Sequence, residues 1–125
     1  MAEKIYTENA PAAIGPYSQA VVVNGMVYSS GQIAIVPATG NIEAADIKGQ
    51  TTQVMENLKA VLTAAGTSMD KIIKTTCFLA EIADFAAFNE VYGQYITEKP
   101  ARSCVAVKDL PKGALVEVEV IAVID

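Results

Sequence analysis

Two periodicities of apolar residues divide this 125-residue chain into helices and strands. Apolar residues at helical spacing predict a helix that begins after Asp46, runs to about Ala65 and stops at Gly66. The same spacing after Asp84 predicts a second helix that Pro100 ends, because the residue before a proline disfavours helical backbone. Around these helices, β-branched and alternating apolar residues predict strands at 20–36, 72–80, 102–107 and 115–124.

The first of these strand regions carries a strong hairpin signal. Asn24-Gly25 separates two apolar runs, and this dipeptide favours a two-residue turn. Small residues around Gly31 interrupt the second run, which is expected to resume over 33–36. A glycine within a strand indicates a bulge or a place where a ligand approaches the backbone.

The order of the elements is strands, helix, strand, helix, strands. Such an order predicts a single α+β domain over residues 1–125, with both helices on one face of a sheet. The segment before the first strand contains Pro11, Gly15 and Pro16, so we expect an extended arm there rather than a helix.

The balance of apolar and charged residues bears on assembly and partners. Charged residues are 18% of the chain and hydrophobic residues 52%, against about 25% charged in an ordinary soluble domain. No apolar stretch reaches the ~20 residues of a membrane span. Other copies of the chain are therefore expected to cover the extra apolar surface. A net charge of −5 argues against a nucleic-acid-binding surface.

The cysteine and histidine content limits which disulfides and metal sites this chain can form. Cys77 and Cys104 lie far apart, and the first residues do not read as a secretory leader, so a disulfide framework is not expected. Two cysteines with no histidine cannot supply a zinc site. We therefore expect a cytoplasmic protein without a metal.

Arg102 is the only arginine in the chain. Its guanidinium is permanently charged and suited to bidentate capture of a carboxylate or phosphate. An ion pair at the surface is the other interpretation. Strand alternation places Arg102 and Cys104 on one face of their strand, and Glu117 and Glu119 on one face of the last strand.

The opposite face of that last strand is apolar and is predicted to lie in the core. Glu117 and Glu119 can then face solvent on the outer side of a half-exposed sheet. The same face continues with Ile121 and Val123, however, which favours a partly covered surface. A carboxylate on such a surface can act on a bound water as general base.

The remaining candidates for a functional site also have purely structural interpretations. Without histidine, a Cys–His nucleophile is impossible, so Cys104 is predicted to be a buried structural residue or to contribute its backbone groups to a site. Cys77 is predicted to lie in the core. Tyr92 and Tyr95 are interpreted as helix packing, and Asn89 fits a surface helix position.

Five motifs, in order along the chain, resemble the YjgF/RidA family of reactive intermediate deaminases. They are Ala10–Gln19, Ser29–Ile33, Phe88–Tyr92, Pro100–Cys104 and Val116–Glu119. The resemblance implies a chorismate-mutase-like α+β fold, with a mixed sheet and two helices on one face. It also implies a homotrimer with active sites between the subunits. The implied reaction is hydrolysis of 2-imino or enamine acids, such as 2-iminobutanoate and 2-iminopropanoate, to 2-keto acids and ammonia, without cofactor or metal.

The resemblance also implies roles for individual residues. Arg102 would grip the substrate carboxylate with two charge-assisted hydrogen bonds. Glu117 would position and deprotonate the attacking water. The backbone of Ser103 and Cys104 would hydrogen-bond the imine nitrogen or that water. The residues that resemble the lining of the family's cleft are Tyr17, Ser30, Gly31 and Asn89.

Two other functions stay open at the level of sequence. The same cleft could bind a keto or imino acid without catalysis and regulate purine or amino-acid metabolism, in which case Arg102 is needed but the Glu117 base is not. Ribonuclease activity is the poorest fit, because the chain is acidic, has one arginine and lacks histidine.

Overall fold

In the computed structural model, which describes residues 2–125, a six-stranded sheet carries two helices on one face. The strands of the chain are β1 (Glu3–Ile5), β2 (Ala20–Val23), β3 (Met26–Ser29), β4 (Ile35–Val36), β5 (Asn41–Ile42), β6 (Ile72–Leu79), β7 (Ala101–Ala106) and β8 (Val116–Val123). The helices are α1 (Ile47–Ala65) and α2 (Phe85–Tyr95), with single 3-10 turns at Met69–Lys71, Ile82–Asp84 and Pro111–Gly113.

The strand order of the main sheet is β1-β2-β3-β8-β6-β7. The β6–β7 pair is parallel and is connected through α2, whereas the other neighbouring pairs are antiparallel. The short strands β4 and β5 pair with each other. This arrangement confirms the predicted α+β fold with a mixed sheet and two helices on one face.

The core lies between α1, α2 and the inward face of the sheet. Strand β8 alternates as predicted, since its inward residues are buried and the residues between them are not. Each fully buried valine or leucine contributes about 1.5–3 kcal/mol relative to an exposed side chain. The largest inward apolar contributors from β8 and α1 are Val116, Val118, Val120, Val54, Met55, Leu58, Val61 and Leu62.

The limits of the helices follow local chemistry. Helix α1 begins after Asp46 as predicted, and Gly66 ends it with a left-handed φ of 88°. The amide of Gly66 donates to the Thr63 carbonyl, which satisfies one of the last free helix acceptors. Helix α2 ends at Tyr95 rather than running to Pro100, because the backbone of Ile96 already leaves the helical region.

One strand prediction is wrong. Strand β3 ends at Ser29, and the segment 33–36 does not resume it; Ile35–Val36 pairs with β5 instead. The side-chain amide of Asn57 on α1 donates to the carbonyls of Ile33 and Ile35, at 3.1 and 2.9 Å. These two bonds satisfy backbone acceptors of the segment that a sheet would otherwise use.

Over the described residues, no helix combines the length and the apolar character that a membrane crossing requires.

Candidate functional site

Arg102 lies on the edge strand β7 and points toward helix α2. Its Cα is in register with that of Thr75 on β6, and Thr75 is fully buried on the inward face of the sheet. One guanidinium nitrogen, Nη1, donates to Oδ1 of Asn89 at 2.7 Å. The guanidinium carbon lies 4.9 Å from the centre of the Tyr92 ring. Helix and strand together therefore hold the guanidinium in a half-buried position.

Arg102 has no carboxylate partner among the described residues. The ion pairs among the described residues are Lys48–Glu90 and Lys71–Asp125. The structure therefore does not support the alternative interpretation of Arg102 as a partner in a surface ion pair. A cavity of about 420 Å³ opens beside the guanidinium, and Asn89, Tyr92 and Lys99 are among its lining residues. An unpaired guanidinium beside a cavity is suited to an anionic ligand.

The two cysteines lie side by side on the parallel strands β6 and β7, in register with each other. Cys77 is completely buried, as predicted, and burial raises the pKa of its thiol to about 12. Burial also raises the pKa of the half-buried Cys104 thiol, although the charge of Arg102 opposes this shift. Both thiols stay protonated at neutral pH, which argues against a thiolate nucleophile. Ser103 is exposed and points to the other face of β7.

Glu117 lies on the outward face of β8, between the buried residues Val116 and Val118. Its carboxyl group packs directly on Gly31: a Cβ at that position would be 2.8 Å from the Glu117 carboxyl carbon. Burial, followed by repulsion from the Glu119 carboxylate, raises the pKa of Glu117 above its usual range. A carboxyl group with a raised pKa is a better proton acceptor than an ordinary glutamate.

A second cavity, of about 380 Å³, opens at Glu117. The predicted residues Tyr17, Ser30 and Gly31 line it, together with apolar residues of the N-terminal arm and of the segment after β3, whereas the predicted Asn89 lines the cavity beside Arg102. The Ser30 hydroxyl donates to the carbonyl of Ser18 at 2.6 Å. The apolar lining comprises Pro11, Ala12, Ile14, Ile33, Ile35 and Pro111.

Gln19 fixes the arm that forms one wall of this cavity. Its side chain is 2% exposed, and its Nε2 donates to the carbonyls of Thr7 and Pro11 at 3.0 and 2.8 Å. Its Oε1 accepts a bond from the Thr7 amide at 2.7 Å. Gln19 belongs to the motif Ala10–Gln19, but the sequence pattern assigns it no role. A glutamine directly before an apolar strand was the only signal available.

Arg102 and Glu117 lie on opposite faces of the sheet. Cys77 pairs with Cys104 on one side of β6 and with Val118 on the other, so these three residues share the inward face with Arg102. Glu117 pairs with Phe78 and therefore faces outward. One copy of the chain cannot present both groups to one small ligand.

The site residues accordingly form two groups. We call the predicted residues Asn89, Arg102 and Cys104, together with Tyr92, which the sequence assigned only to helix packing, the arginine half-site. We call Tyr17, Ser30, Gly31 and Glu117 the glutamate half-site. The predicted Ser103 belongs to neither group, because its side chain points to the other face of β7. Each half-site has its own cavity, and the β-sheet lies between the two.

Comparison with known proteins decides the family. A family model described as endoribonuclease L-PSP matches residues 7–124. The chain belongs to this family. The resemblance to YjgF/RidA proteins is likewise confirmed, because relatives and solved structures of that family match nearly the whole chain.

Members of the family carry different names. A Salmonella typhimurium protein named 2-iminobutanoate/2-iminopropanoate deaminase is 49% identical over 127 residues, covering 98% of both chains. A Lactococcus lactis protein named as the regulator AldR is 51% identical over 119 residues, covering 94% of both. The solved structure of Escherichia coli TdcF with bound serine matches with a TM-score of 0.94 and 47% identity, over 98% of this chain and 99% of that one.

Proposed function

We propose that this protein hydrolyses 2-imino acids to 2-keto acids and ammonia, at sites that combine the arginine half-site of one copy with the glutamate half-site of another. The single observation that carries the proposal is the half-buried Arg102, whose guanidinium contacts Asn89 and aromatic rings but, within residues 2–125, no carboxylate. Names of relatives support the same reaction class, since several are called 2-iminobutanoate/2-iminopropanoate deaminase.

The carboxylate is the part of the substrate that Arg102 would bind. Of the five N–H donors of a guanidinium, one goes to Asn89, and the others can form two parallel bonds with a carboxylate. Such a pair fixes the distance of the adjacent imine carbon from the strand. Serine bound to the related TdcF is a small molecule that carries the same carboxylate.

Glu117 would supply the base. Water adds to the carbon of the protonated imine while the Glu117 carboxylate accepts one of the water protons, which gives a neutral carbinolamine. Glu117 then returns this proton to the amino nitrogen, the carbon–nitrogen bond breaks, ammonia leaves, and the hydroxyl proton passes to solvent as the carbonyl forms. The raised pKa of Glu117 supports both proton transfers, because donor and acceptor strengths are then closer to balance.

The outward face of the sheet supports assembly of several copies. It carries Tyr28, which is 44% exposed, and the partly exposed Phe78, Ile121 and Val123 alongside Glu117. The edge strand β7 adds Val105, which is 47% exposed. An apolar sheet face is stabilised when a second copy covers it. We propose a homotrimer, and the number three comes from the family resemblance alone.

A coupled assay tests the proposed function. Threonine dehydratase releases 2-iminobutanoate from threonine, and semicarbazide traps what has not yet been hydrolysed. We expect the wild-type protein to reduce the trapped fraction and Arg102→Ala to lose this effect by at least ~100-fold, since a charge-assisted bidentate contact is removed. Lys108→Ala is the matched control, because it removes an exposed positive charge outside both half-sites. Full activity in Arg102→Ala would contradict the carboxylate clamp.

A regulatory binding protein is the second candidate, and the relative named as the regulator AldR favours it. Binding alone needs the arginine half-site but not a base. Under this alternative, Glu117→Gln retains both the affinity for 2-ketobutanoate and the biological function. Under the deaminase proposal, it retains affinity and loses turnover.

The family description as an endoribonuclease points to a third activity. The composition of the chain argues against ribonuclease activity, because general acid–base cleavage of RNA at neutral pH typically relies on histidine, and the chain has none. Tight RNA binding that weakens steeply with salt would overturn this interpretation.

A further inference from the structure

The Arg102 guanidinium lies on a stripe of one helix. Phe85, Asn89 and Tyr92 follow one another at helical spacing on α2, and all three contact the guanidinium. Its carbon is 4.9 Å from the centre of the Tyr92 ring and 5.5 Å from that of Phe85. Both distances are within the range of a cation–π contact.

Tyr92 is itself held firmly. Its hydroxyl is 2.8 Å from Oγ1 of Thr75, a completely buried residue of β6. Its ring packs against Phe88, with ring centres 5.4 Å apart and planes inclined by 48°. The ring therefore meets the guanidinium in a position fixed by a hydrogen bond at one end and by aromatic packing at the other.

The position of Thr75 makes this bond informative. Thr75 and Arg102 are direct neighbours in register on the parallel strands β6 and β7. The strand pairing that places Arg102 thus also places the group that anchors its aromatic partner. A core threonine with no such duty could be replaced by valine of almost equal volume without loss of a polar contact.

We propose that Tyr92, anchored by Thr75, is a positioning residue that holds the Arg102 guanidinium ready for a carboxylate; the proposal rests on the carboxylate-binding role given to Arg102 above. An aromatic face attracts the cation while leaving its N–H donors free for the carboxylate, and it does not neutralise the positive charge. A carboxylate in the same place would orient the guanidinium equally well but would compete with the substrate.

The sole arginine of the chain gives a direct spectroscopic readout, because a ¹⁵N spectrum contains one Nε–H signal of this type. In the wild-type protein, the ring current of Tyr92 shifts the Arg102 Nε–H signal away from the chemical shift of free arginine. In Tyr92→Leu we expect the signal to move most of the way back to the chemical shift of free arginine. The dissociation constant for 2-ketobutanoate, a stable product of the proposed reaction, should rise about tenfold.

Two conservative variants separate positioning from packing. Tyr92→Phe keeps the ring and loses the hydroxyl, and Thr75→Val keeps the volume and loses the other partner. Each should raise the dissociation constant and KM about threefold with kcat nearly unchanged, since a single neutral hydrogen bond is removed. The double variant should be no weaker than Thr75→Val, because both changes break the Tyr92–Thr75 bond and Thr75→Val alone also removes the acceptor of the Cys77 thiol.

The outcomes distinguish this inference from the proposed function. The inference would be overturned if Tyr92→Phe and Thr75→Val had the wild-type dissociation constant for 2-ketobutanoate and the wild-type Nε–H chemical shift, and differed from wild type only in a lower melting temperature. The Tyr92–Thr75 pair would then contribute to packing alone. Wild-type protein that binds 2-ketobutanoate but leaves 2-iminobutanoate intact would overturn the deaminase proposal, while the affinities still decide the role of Tyr92. Failure of the wild type to bind the keto acid would overturn both.

Discussion

At the scale of single residues, Gly31 and Glu117 depend on each other. The Glu117 carboxyl group occupies the space in which any side chain at position 31 would begin. Contact with the Gly31 backbone also removes water from the carboxyl group, and this burial is the first cause of its raised pKa. A glycine at this position is therefore required by the chemistry next to it rather than by an unusual backbone angle.

Replacement of Gly31 by alanine should displace Glu117. We expect kcat/KM for 2-iminobutanoate to fall at least tenfold, because a base displaced by about 1 Å loses its alignment with the attacking water. In a Glu117→Gln background the same alanine should cost little more, since the group that it displaces no longer acts as a base. Steady-state kinetics of the four proteins measure this coupling. Additive losses would contradict the dependence of one residue on the other.

The pH dependence of the reaction should report on Glu117. We expect kcat to fall as the pH drops through the raised pKa of Glu117, because the protonated carboxyl group cannot accept a proton from water. Glu119→Gln removes a repulsive charge, so it should shift this acid limb to lower pH while leaving the plateau rate nearly unchanged. Glu117→Gln should lower the plateau about 10²–10⁴-fold. An acid limb that stays in place in Glu119→Gln would contradict the assignment.

Sequence reasoning identified the residues with obvious chemistry but not those that position them. Arg102 stood out as the only arginine, and Glu117 as a carboxylate within a hydrophobic strand. The helical spacing of Tyr92 predicts that it packs within the helix layer, which describes its ring but not its contact with the guanidinium. Gln19 and Tyr92 act through partners distant in sequence, and no local pattern contains that information.

At the scale of elements, periodicity succeeded where a segment buries one continuous face. Strand β8 and helix α1 have such faces, and both were predicted within two residues of their observed limits. The segment 33–36 failed because its hydrogen-bond partners come from elsewhere in the chain. Asn57 on α1 and the short strand β5 take its backbone groups, and the adjoining residues then line the cavity at Glu117.

Asn57 should therefore matter for stability as well as for the shape of the cavity. Asn57→Ala leaves the buried carbonyls of Ile33 and Ile35 without their donor, and we expect the free energy of unfolding to fall by about 2–4 kcal/mol. Thr52→Ala is the control, because the exposed Thr52 hydroxyl on the same helix donates to the Lys48 carbonyl and does not contact Asn57. Urea denaturation of both variants measures the difference. Equal stabilities would contradict the structural role given to Asn57.

At the scale of the whole molecule, the sheet separates the two half-sites. Strand alternation gives the face of a residue only relative to its own strand. Whether Arg102 and Glu117 share a face depends on strand order and on the register of β6 with both of its neighbours. The sequence motifs therefore predicted candidate residues for a site, but only the fold shows that one copy places these candidates on two surfaces.

The most direct test of the account is complementation between two inactive variants, Arg102→Ala and Glu117→Gln, produced together in one cell. Each variant alone should have almost no deaminase activity. In oligomers assembled at random from equal amounts, about a quarter of the interfaces would join an intact Arg102 to an intact Glu117, whatever the number of copies in a closed ring. We therefore predict about a quarter of the wild-type activity. Activity no higher than that of the parents, in oligomers that native mass spectrometry shows to be mixed, would contradict a site shared between copies.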